Sequence, residues 1–229
     1  MKKIILWDWD GTLVNSLPYK YEEIWSHVFE GNEEAQNIVR DFIKTPEGKR
    51  CNRYGLIAYT LQKTGELSES VEPSEDPIVE KYAALYKEGA ANAIPTFGLL
   101  PGAQEVLEKL SGEGHHMHLV SGGGSDEDLD QLLTNIGVRK FFNGVFGFGI
   151  SKAVGTGFGK HDNFLRIAEI EGVSAPEQYV VIGDTPKDKE FAQKIGCDFI
   201  GVANQYNEWT PSKDPKVAAN LLEVPGLLS

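Results

Sequence analysis

An apolar run that ends in two carboxylates reads Ile4-Ile5-Leu6-Trp7-Asp8-Trp9-Asp10-Gly11-Thr12. Four consecutive apolar residues predict a strand that is covered on both faces, as the strands of parallel sheets are. Because side chains alternate along an extended chain, Asp8 and Asp10 leave the strand end on the same side. Such a pair can divide covalent catalysis between a nucleophile and a proton carrier. The simpler interpretation is a turn with two solvated acids.

Further short apolar runs alternate with amphipathic segments along the rest of the chain. The runs are Met117–Val120, Val145–Phe148, Tyr179–Ile182 and Phe199–Val202, and the segments are Gln104–Leu110, Asp126–Ile136, Asp162–Ile170 and Asp188–Ile195. This alternation predicts an α/β fold, a doubly wound parallel sheet with right-handed crossovers. From Gln205 onwards we expect an irregular tail that wraps the surface.

Residues 16–95 interrupt this alternation, because they show helical apolar stripes and no convincing strand. We therefore expect an α/β core formed by residues 1–15 and 96–229, with residues 16–95 as a helical cap. An insertion after the first strand is expected to lie over the carboxyl ends of the strands, where open α/β sheets bind ligands. In that position it would act as a lid.

The composition excludes several classes of partner. The net charge is −12, from 34 acidic and 22 basic residues, which argues against nucleic acid and anionic membranes as main partners. The apolar start is cut by Asp8 and is too short for a signal peptide, and no segment is long enough to span a membrane. We expect a cytoplasmic protein, either a monomer or a homodimer, with Cys51 and Cys197 as reduced thiols.

Two other strand ends carry polar groups. Ser121 follows the second strand and precedes Gly122-Gly123-Gly124. Its hydroxyl and the free backbone N–H groups can bind an anion, although three glycines also suit a flexible turn. The fourth strand ends in Gly183-Asp184-Thr185-Pro186-Lys187-Asp188. Either Asp188 caps the next helix, or the acids of this loop join Asp8 and Asp10 in an oxygen-rich site that suits Mg²⁺.

Lys160 stands just before the helix predicted from Asp162. It is either a solvated loop charge or the cation that neutralises a phosphate and the crowded carboxylates, and Lys152 is its rival for that role. The glycine-rich segment that ends at Lys160 does not fit a P-loop. Val154 occupies the position of the first glycine, and His161 replaces the Ser or Thr that would hold magnesium.

Cations and histidines elsewhere in the chain leave further alternatives open. In the helical insert, a loop with Gly48 carries Arg50 and Arg53, which either meet an anionic end of a substrate or remain solvated. His116 and His118 can share one face of the second strand. Because no third ligand with suitable spacing follows, a structural role is favoured over a transition-metal site.

The ordered set Asp8-x-Asp10-Gly11-Thr12, Ser121, Lys160 and Gly183-Asp184-x-x-x-Asp188 resembles the haloacid dehalogenase (HAD) superfamily, specifically its phosphoglycolate phosphatase-like branch with a helical cap. Leu100-Pro101-Gly102-Ala103 resembles the segment by which such chains return to the core. The chain departs from the usual pattern at Asn15, where an acid is frequent, and at His161, where proline often follows the lysine. These departures affect substrate detail more than reaction class.

The resemblance implies a function and a role for each motif residue. Asp8 would be the nucleophile and form an aspartyl-phosphate, and Asp10 would act as acid and then as base. Mg²⁺ would be held by Asp8, the backbone carbonyl of Asp10 and Asp184, with Asp188 in support. Ser121, the Gly122 amide and Lys160 would hold the phosphoryl oxygens of a small phosphorylated metabolite. A phosphomutase of the β-phosphoglucomutase type and, less closely, a non-enzymatic phospho-accepting signalling module are the alternatives.

Overall fold

The structure is a computed structural model that describes residues 2–68, 76–93, 96–147, 159–214 and 216–228, with Arg50 described by its backbone alone. The chain divides into two compact units, one formed by Met1–Asn15 and Gly98–Ser229 and the other by Ser16–Phe97. Within the described ranges, no helix is both long and apolar enough to cross a lipid bilayer.

The helices and strands follow in this order: β1 (Ile4–Trp7), α1 (Ile24–Val28), α2 (Glu33–Phe42), α3 (Pro46–Arg50), α4 (Arg53–Lys63), α5 (Pro77–Ala93), α6 (Ala103–Gly112), β2 (His116–Val120), α7 (Asp126–Asn135), β3 (Gly144–Phe146), α8 (Lys160–Glu171), β4 (Tyr179–Gly183), α9 (Pro186–Ile195), β5 (Asp198–Val202), β6 (Val217–Ala218) and α10 (Val224–Leu227). A helical turn at Tyr19–Glu23 leads into α1, and single 3₁₀ turns precede β3, β4 and α10.

The first unit is an α/β sandwich around a six-stranded parallel sheet, which confirms the predicted fold class. Its strand order is β3-β2-β1-β4-β5-β6. The chain runs outward from β1 to β3 on one side and then continues from β4 to β6 on the other. The direction of winding therefore reverses between β1 and β4, and a doubly wound sheet binds its ligands at the carboxyl ends of such a strand pair.

The central strands are apolar throughout because helices cover both faces of the sheet. Every residue of β1 is buried, as is every residue of β4. Strands β1 and β4 are in direct register, with Trp7 opposite Ile182. This register determines the relative heights at which β1 and β4 end at the edge of the sheet.

The second unit, Ser16–Phe97, is helical in its described residues. Its core contains Trp25, Phe29, Ile57 and Val79, all nearly inaccessible to solvent. Asn32, Thr45 and Asn52 begin α2, α3 and α4, and each accepts a hydrogen bond from a backbone N–H three residues later. The sequence of the acidic segment Glu66–Pro77, with prolines at positions 73 and 77, predicts a loop. Its residues 69–75 lie outside the described residues.

Two expectations from the sequence are wrong. The helix predicted from Asp162 begins at Lys160, so Lys160 belongs to α8 rather than to the preceding loop. The tail from Gln205 is not merely an irregular surface wrap, because Val217 and Ala218 are buried and pair with β5 as a sixth strand. A strand of two residues is too short to leave an apolar pattern that sequence analysis can detect.

His116 and His118 do lie on one face of β2, and both contact Glu171 at the end of α8. His116 Nδ1 lies 2.6 Å from one carboxylate oxygen of Glu171, and His118 Nε2 lies 2.7 Å from the other. Burial lowers the pKa of His118, although Glu171 opposes this effect. Burial raises the pKa of Glu171, but the hydrogen bonds from both histidines outweigh it, so the net shift is downward. Glu171 thus joins α8 to β2.

We predict that replacing Glu171 by Gln destabilises the α/β unit at neutral pH by about 2 kcal/mol, the usual contribution of hydrogen bonds to a charged group. Because the folded pKa of Glu171 lies below its unfolded value, its contribution is complete above the unfolded pKa. It is lost as pH falls through the folded pKa. The difference between wild type and Glu171→Gln in urea denaturation should therefore vanish in acid.

The matched control is Glu169→Gln, because Glu169 is exposed on the same helix. The free energy of unfolding of that variant should equal that of the wild type at every pH. An equal destabilisation by Glu171→Gln at pH 7 and pH 3.5 would contradict the prediction.

Candidate active site

Asp8 and Asp184 lie side by side at the carboxyl ends of the two central strands. The Asp8 N–H donates to Ile182 O at 2.8 Å, so the β1–β4 pairing continues to the residue where the acids begin. Both side chains are buried, with Asp8 8% and Asp184 2% exposed. The Thr12 hydroxyl lies 3.2 Å from Asp8 Oδ2 and 3.4 Å from Asp184 Oδ1. The Gly11 turn, at φ +73°, therefore brings Thr12 back between the carboxylates.

Asp188 completes the group from the first turn of α9. Its Oδ2 accepts hydrogen bonds from Thr185 N at 3.0 Å and Thr185 Oγ1 at 2.6 Å. The N-cap of α9 is Thr185, and Asp188 is its partner in a capping box rather than the cap itself. Gly183 is required here because a Cβ at that position would overlap the Asp188 carboxylate. The helix-start and metal-site interpretations are thus compatible, because Oδ2 serves the helix and leaves Oδ1, which contacts Lys160, for other partners.

Lys160 contacts two of these acids. Its ammonium lies 2.5 Å from Asp8 Oδ1 and 2.5 Å from Asp188 Oδ1. It is the first residue of α8, and its side chain is 16% exposed. The alternative cation, Lys152, lies within residues 148–158, which are outside the described residues. That range also includes most of the glycine-rich segment before Lys160.

A polar network holds the start of α8 against the end of β3. Asn163 is fully buried and donates to Gly147 O at 2.7 Å. Arg166 donates to Asn163 Oδ1 and to Asp126 Oδ2, each at 2.9 Å. Asp126 in turn accepts from Gly147 N at 2.7 Å. This closed set of hydrogen bonds fixes the helix that carries Lys160.

Burial, together with like charges, raises the pKa of the acids in the site. Burial raises the pKa of Asp8 to about 7; Lys160 opposes this shift, whereas Asp188 and Asp10 add to it. Burial also raises the pKa of Asp184 well above its ordinary value, and Asp8 and Asp188 contribute in the same direction. Burial alone would lower the pKa of Lys160, but Asp188 and Asp8 raise it, so its net shift is upward. One ammonium is insufficient to neutralise three carboxylates.

The donor set fits a divalent cation. Each of Asp8, Asp184 and Asp188, here called the acidic cluster, offers a carboxylate oxygen, and these oxygens lie within 4.8 Å of one another. Hard oxygen donors of this kind suit Mg²⁺. With all three acids ionised and Lys160 protonated, the cluster carries a charge of −2, which one divalent ion would balance. The side chain of Asp10 is not in this set, but its charge acts on Asp8.

The other predicted site residues occupy two places. Ser121 is 2% exposed at the end of β2, next to β1, and its Oγ accepts from Gly123 N at 3.2 Å. Gly122 between them is exposed. Arg53 begins α4 in the helical unit, whereas the side chain of Arg50 falls outside the described part of the chain.

Sequence analysis missed two asparagines that contact Asp184 from the segment after β5. Asn204 Nδ2 donates to Asp184 Oδ2 at 2.8 Å, and Asn207 Nδ2 donates to Asp184 O at 3.0 Å. Asn207 falls in the tail predicted from Gln205, and Asn204 directly precedes that tail. No local pattern in the sequence distinguishes them from ordinary turn asparagines.

Comparison with known families agrees with this geometry. The model of the haloacid dehalogenase-like hydrolases matches residues 2–196. The chain belongs to this family. It is an enzyme, a HAD-type phosphatase, because the family is hydrolytic and the curated relatives that match are phosphatases.

Individual relatives are distant but cover nearly the whole chain. A phosphoglycolate phosphatase of Haemophilus influenzae is 25% identical over 207 residues, which is 90% of this chain and 87% of that protein. A crystal structure of a predicted phosphoglycolate phosphatase from Haemophilus somnus has a TM-score of 0.72 at 20% identity and covers 100% of this chain and 98% of its own. The magnesium-bound HAD-family protein YfnB of Bacillus subtilis has a TM-score of 0.62 at 18% identity and covers 100% of this chain and 99% of its own. At these identities the solved structures establish the fold alone.

We predict that Lys160→Met destabilises the metal-free protein by about 3 kcal/mol at pH 8, because removal of one partner leaves buried charges unpaired. The destabilisation caused by Lys160→Met should become smaller as the pH falls towards 6. Asp8 has a folded pKa above its unfolded value, so protonation of the folded state relieves the repulsion as pH falls. Urea denaturation in EDTA measures this dependence.

Lys187→Met is the control, because Lys187 is exposed in the first turn of α9 and only three residues from Asp184. It should leave stability unchanged. Added Mg²⁺ should stabilise Lys160→Met more than wild type, since the variant cluster carries one more negative charge. A Mg²⁺ response that is equal in both proteins would contradict this account.

Proposed function

We propose that this chain is a Mg²⁺-dependent phosphatase that hydrolyses a small phosphomonoester, of the phosphoglycolate or sugar phosphate class, through an aspartyl-phosphate on Asp8. The observation that carries the proposal is the convergence of the acidic cluster and Lys160 at the carboxyl ends of β1 and β4. Phosphoryl transfer depends mainly on positioning and on neutralising charge, and this arrangement supplies both.

The first half-reaction uses the two acids after β1. A carboxylate oxygen of Asp8 attacks phosphorus, and the bond between phosphorus and the ester oxygen breaks as the new bond forms. The Asp10 carboxyl donates its proton to the departing oxygen, which leaves as an alcohol. Asp10 is partly exposed, whereas Asp8 is buried, so the proton carrier has the solvent contact that exchange of the proton requires.

The second half-reaction regenerates the enzyme. Asp10, now a carboxylate, accepts a proton from a water molecule as the water oxygen attacks phosphorus. The bond between phosphorus and Asp8 breaks, and inorganic phosphate leaves. Lys160, Ser121 and the Gly122 amide would hold the phosphoryl oxygens in both steps, as the family resemblance implies.

Mg²⁺ would be bound by Asp8, Asp184 and the backbone carbonyl of Asp10, with Asp188 in support, and would add positive charge beside the phosphoryl oxygens. The magnesium-bound relative YfnB supports this choice of ion. The fit of the donor set is the second support, because three carboxylates and one ammonium leave a charge of −2.

We further propose that the helical unit acts as a cap and selects the substrate by its second anionic group. A cavity of about 170 Å³ within this unit is lined by Lys20, Lys49 and Arg53 together with aromatic side chains that include Trp25 and Tyr86. As far as the described residues go, the lining contains three cations and no acid, in a chain of net charge −12. A small organic anion matches this lining, and Arg50 or Arg53 would contact it.

The test is a phosphate-release screen over phosphorylated metabolites in Mg²⁺, in parallel with Asp8→Asn. We expect release of inorganic phosphate from wild type and a loss on the order of 1,000-fold or more in Asp8→Asn, because the nucleophile is removed. Asp128→Asn, an exposed acid on α7, serves as the matched control and should retain full activity.

Formation of a different product would contradict the proposed hydrolysis. An isomerised sugar phosphate, formed without inorganic phosphate, would replace hydrolysis by a phosphomutase reaction on the same nucleophile. Undiminished phosphate release by Asp8→Asn would remove the aspartyl-phosphate mechanism altogether.

The selection proposal predicts a substrate-dependent effect at Arg53. Arg53→Ala should raise KM for phosphoglycolate about 10-fold, the effect of losing one charge-assisted hydrogen bond, and leave KM for p-nitrophenyl phosphate unchanged. The substituent beyond the phosphate is uncharged in the second ester. Arg50→Ala is measured in the same way.

Lys63→Ala provides the control, since Lys63 is an exposed cation at the other end of α4. If neither arginine variant changes the ratio of the two KM values relative to Lys63→Ala, the helical cations do not recognise the substrate.

A further inference from the structure

We propose that Asn204 and Asn207 are positioning residues that hold Asp184 in the orientation required for binding Mg²⁺. This inference rests on the proposed function, because it assigns to two residues of the 204–207 loop the task of orienting a ligand of the proposed metal. The loop follows β5, whereas the acidic cluster follows β1 and β4, so the asparagines contact the site from a third strand end.

Asn204 selects the oxygen that Asp184 presents to the cluster. Its Nδ2 donates to Asp184 Oδ2 at 2.8 Å, while the other oxygen, Oδ1, lies 3.4 Å from the Thr12 hydroxyl that also contacts Asp8. Rotation of the carboxylate would break both contacts. With Oδ2 held by the amide, Oδ1 is the oxygen on the side of Asp8.

Asn207 fixes the backbone of the same residue. Its Nδ2 donates to Asp184 O at 3.0 Å and to Val202 O at 2.9 Å, so one amide joins the ends of β4 and β5. The backbone position of Asp184 is therefore tied to the adjacent strand independently of its side chain. Together the two amides constrain both the main chain and the carboxylate.

The orientation of each amide is determined by contacts at its other end. Asn204 Oδ1 accepts from Tyr206 N at 2.8 Å, and Asn207 Oδ1 accepts from Asn204 N at 3.2 Å and Trp209 N at 3.3 Å. Because backbone N–H groups require an acceptor, the NH₂ end of each side chain must face Asp184. Neither aspartate nor an apolar residue can provide both ends.

The loop is itself anchored to the core beyond Asn207. Trp209 packs edge to face on Phe199, with ring centroids 5.2 Å apart. Its ring also lies so close to Gly201 that a Cβ there would overlap it. An anchored loop gives its asparagines little freedom, which is what the orientation of a metal ligand requires.

The experiment follows the unfolding midpoint of the full chain as Mg²⁺ is added, which gives an apparent Kd for the ion without any substrate. Asn204→Ala and Asn207→Ala should raise this Kd by about 10- to 100-fold, the usual effect of removing a hydrogen bond to a metal ligand. Phosphate release should show the same shift in its Mg²⁺ dependence and recover at high Mg²⁺. Gln205→Ala is the matched control, an exposed amide in the same loop, and should keep the wild-type Kd.

Asp184→Asn separates this inference from the function on which it rests. If Asp184→Asn retains the wild-type Mg²⁺ response, the proposed metal site itself fails. If Asp184→Asn loses the response while both alanine variants keep the wild-type Kd within twofold, only the positioning role is overturned. Should an alanine variant fail to fold without metal, Asn204→Gln replaces it, because the longer side chain retains an amide but cannot keep both contacts.

Discussion

The repulsion among three buried carboxylates is the constraint on which the rest of the α/β unit depends. Asp8, Asp184 and Asp188 bring their oxygens within 4.8 Å of one another at positions that are at most 8% exposed. Carboxylates left to themselves would separate or take up protons. They stay together here because each is fixed by backbone structure: Asp8 and Asp184 by the paired ends of β1 and β4, and Asp188 by its capping box.

This crowding explains why the surrounding hydrogen-bond partners are neutral donors with a single exception. Thr12, Thr185 and Asn204 each contact one or more of the carboxylates without adding charge. Within the described part of the chain, Lys160 alone supplies a positive charge to the cluster. A second lysine would reduce the charge of the cluster to −1 and weaken its attraction for a divalent ion, whereas no lysine would leave three unpaired charges. With one lysine, the cluster keeps a charge of −2, which a divalent ion would balance.

The sequence predicted the parts of the site that depend on local pattern and parallel-sheet geometry. Asp8 follows a run that is apolar throughout, Asp184 follows another, and parallel strands end at a common edge. Their meeting therefore followed from strand assignment alone. The choice of Lys160 over Lys152 rested on its place at the predicted junction between loop and helix, although the first turn of a helix and a loop are hard to distinguish at single-residue precision.

Other features depended on tertiary contacts that no local pattern encodes. The contacts of Asn204 and Asn207 with Asp184 span at least 20 residues and require the path of the chain after β5. The partner of His116 and His118 is Glu171, more than 50 residues later. The strand β6 has only two residues. The missed elements thus share one physical property, which is that their pairing is decided by the fold and not by their neighbours in sequence.

The two units would have different roles in the proposed reaction. In the proposed mechanism the α/β unit holds the groups that act on phosphorus, and these would serve any phosphate ester equally well, because they would contact only what all such esters share. Selection among esters must therefore come from groups that meet the rest of the substrate. The helical unit differs from the acidic cluster in charge, since the described lining of its cavity has three cations and no acid. If that unit selects the substrate as proposed, its positively lined cavity would favour an ester with a second anionic group, and an ester with only one would gain nothing from it. Chemistry and choice of substrate would then be divided between the units, so that each could change in evolution without disturbing the other.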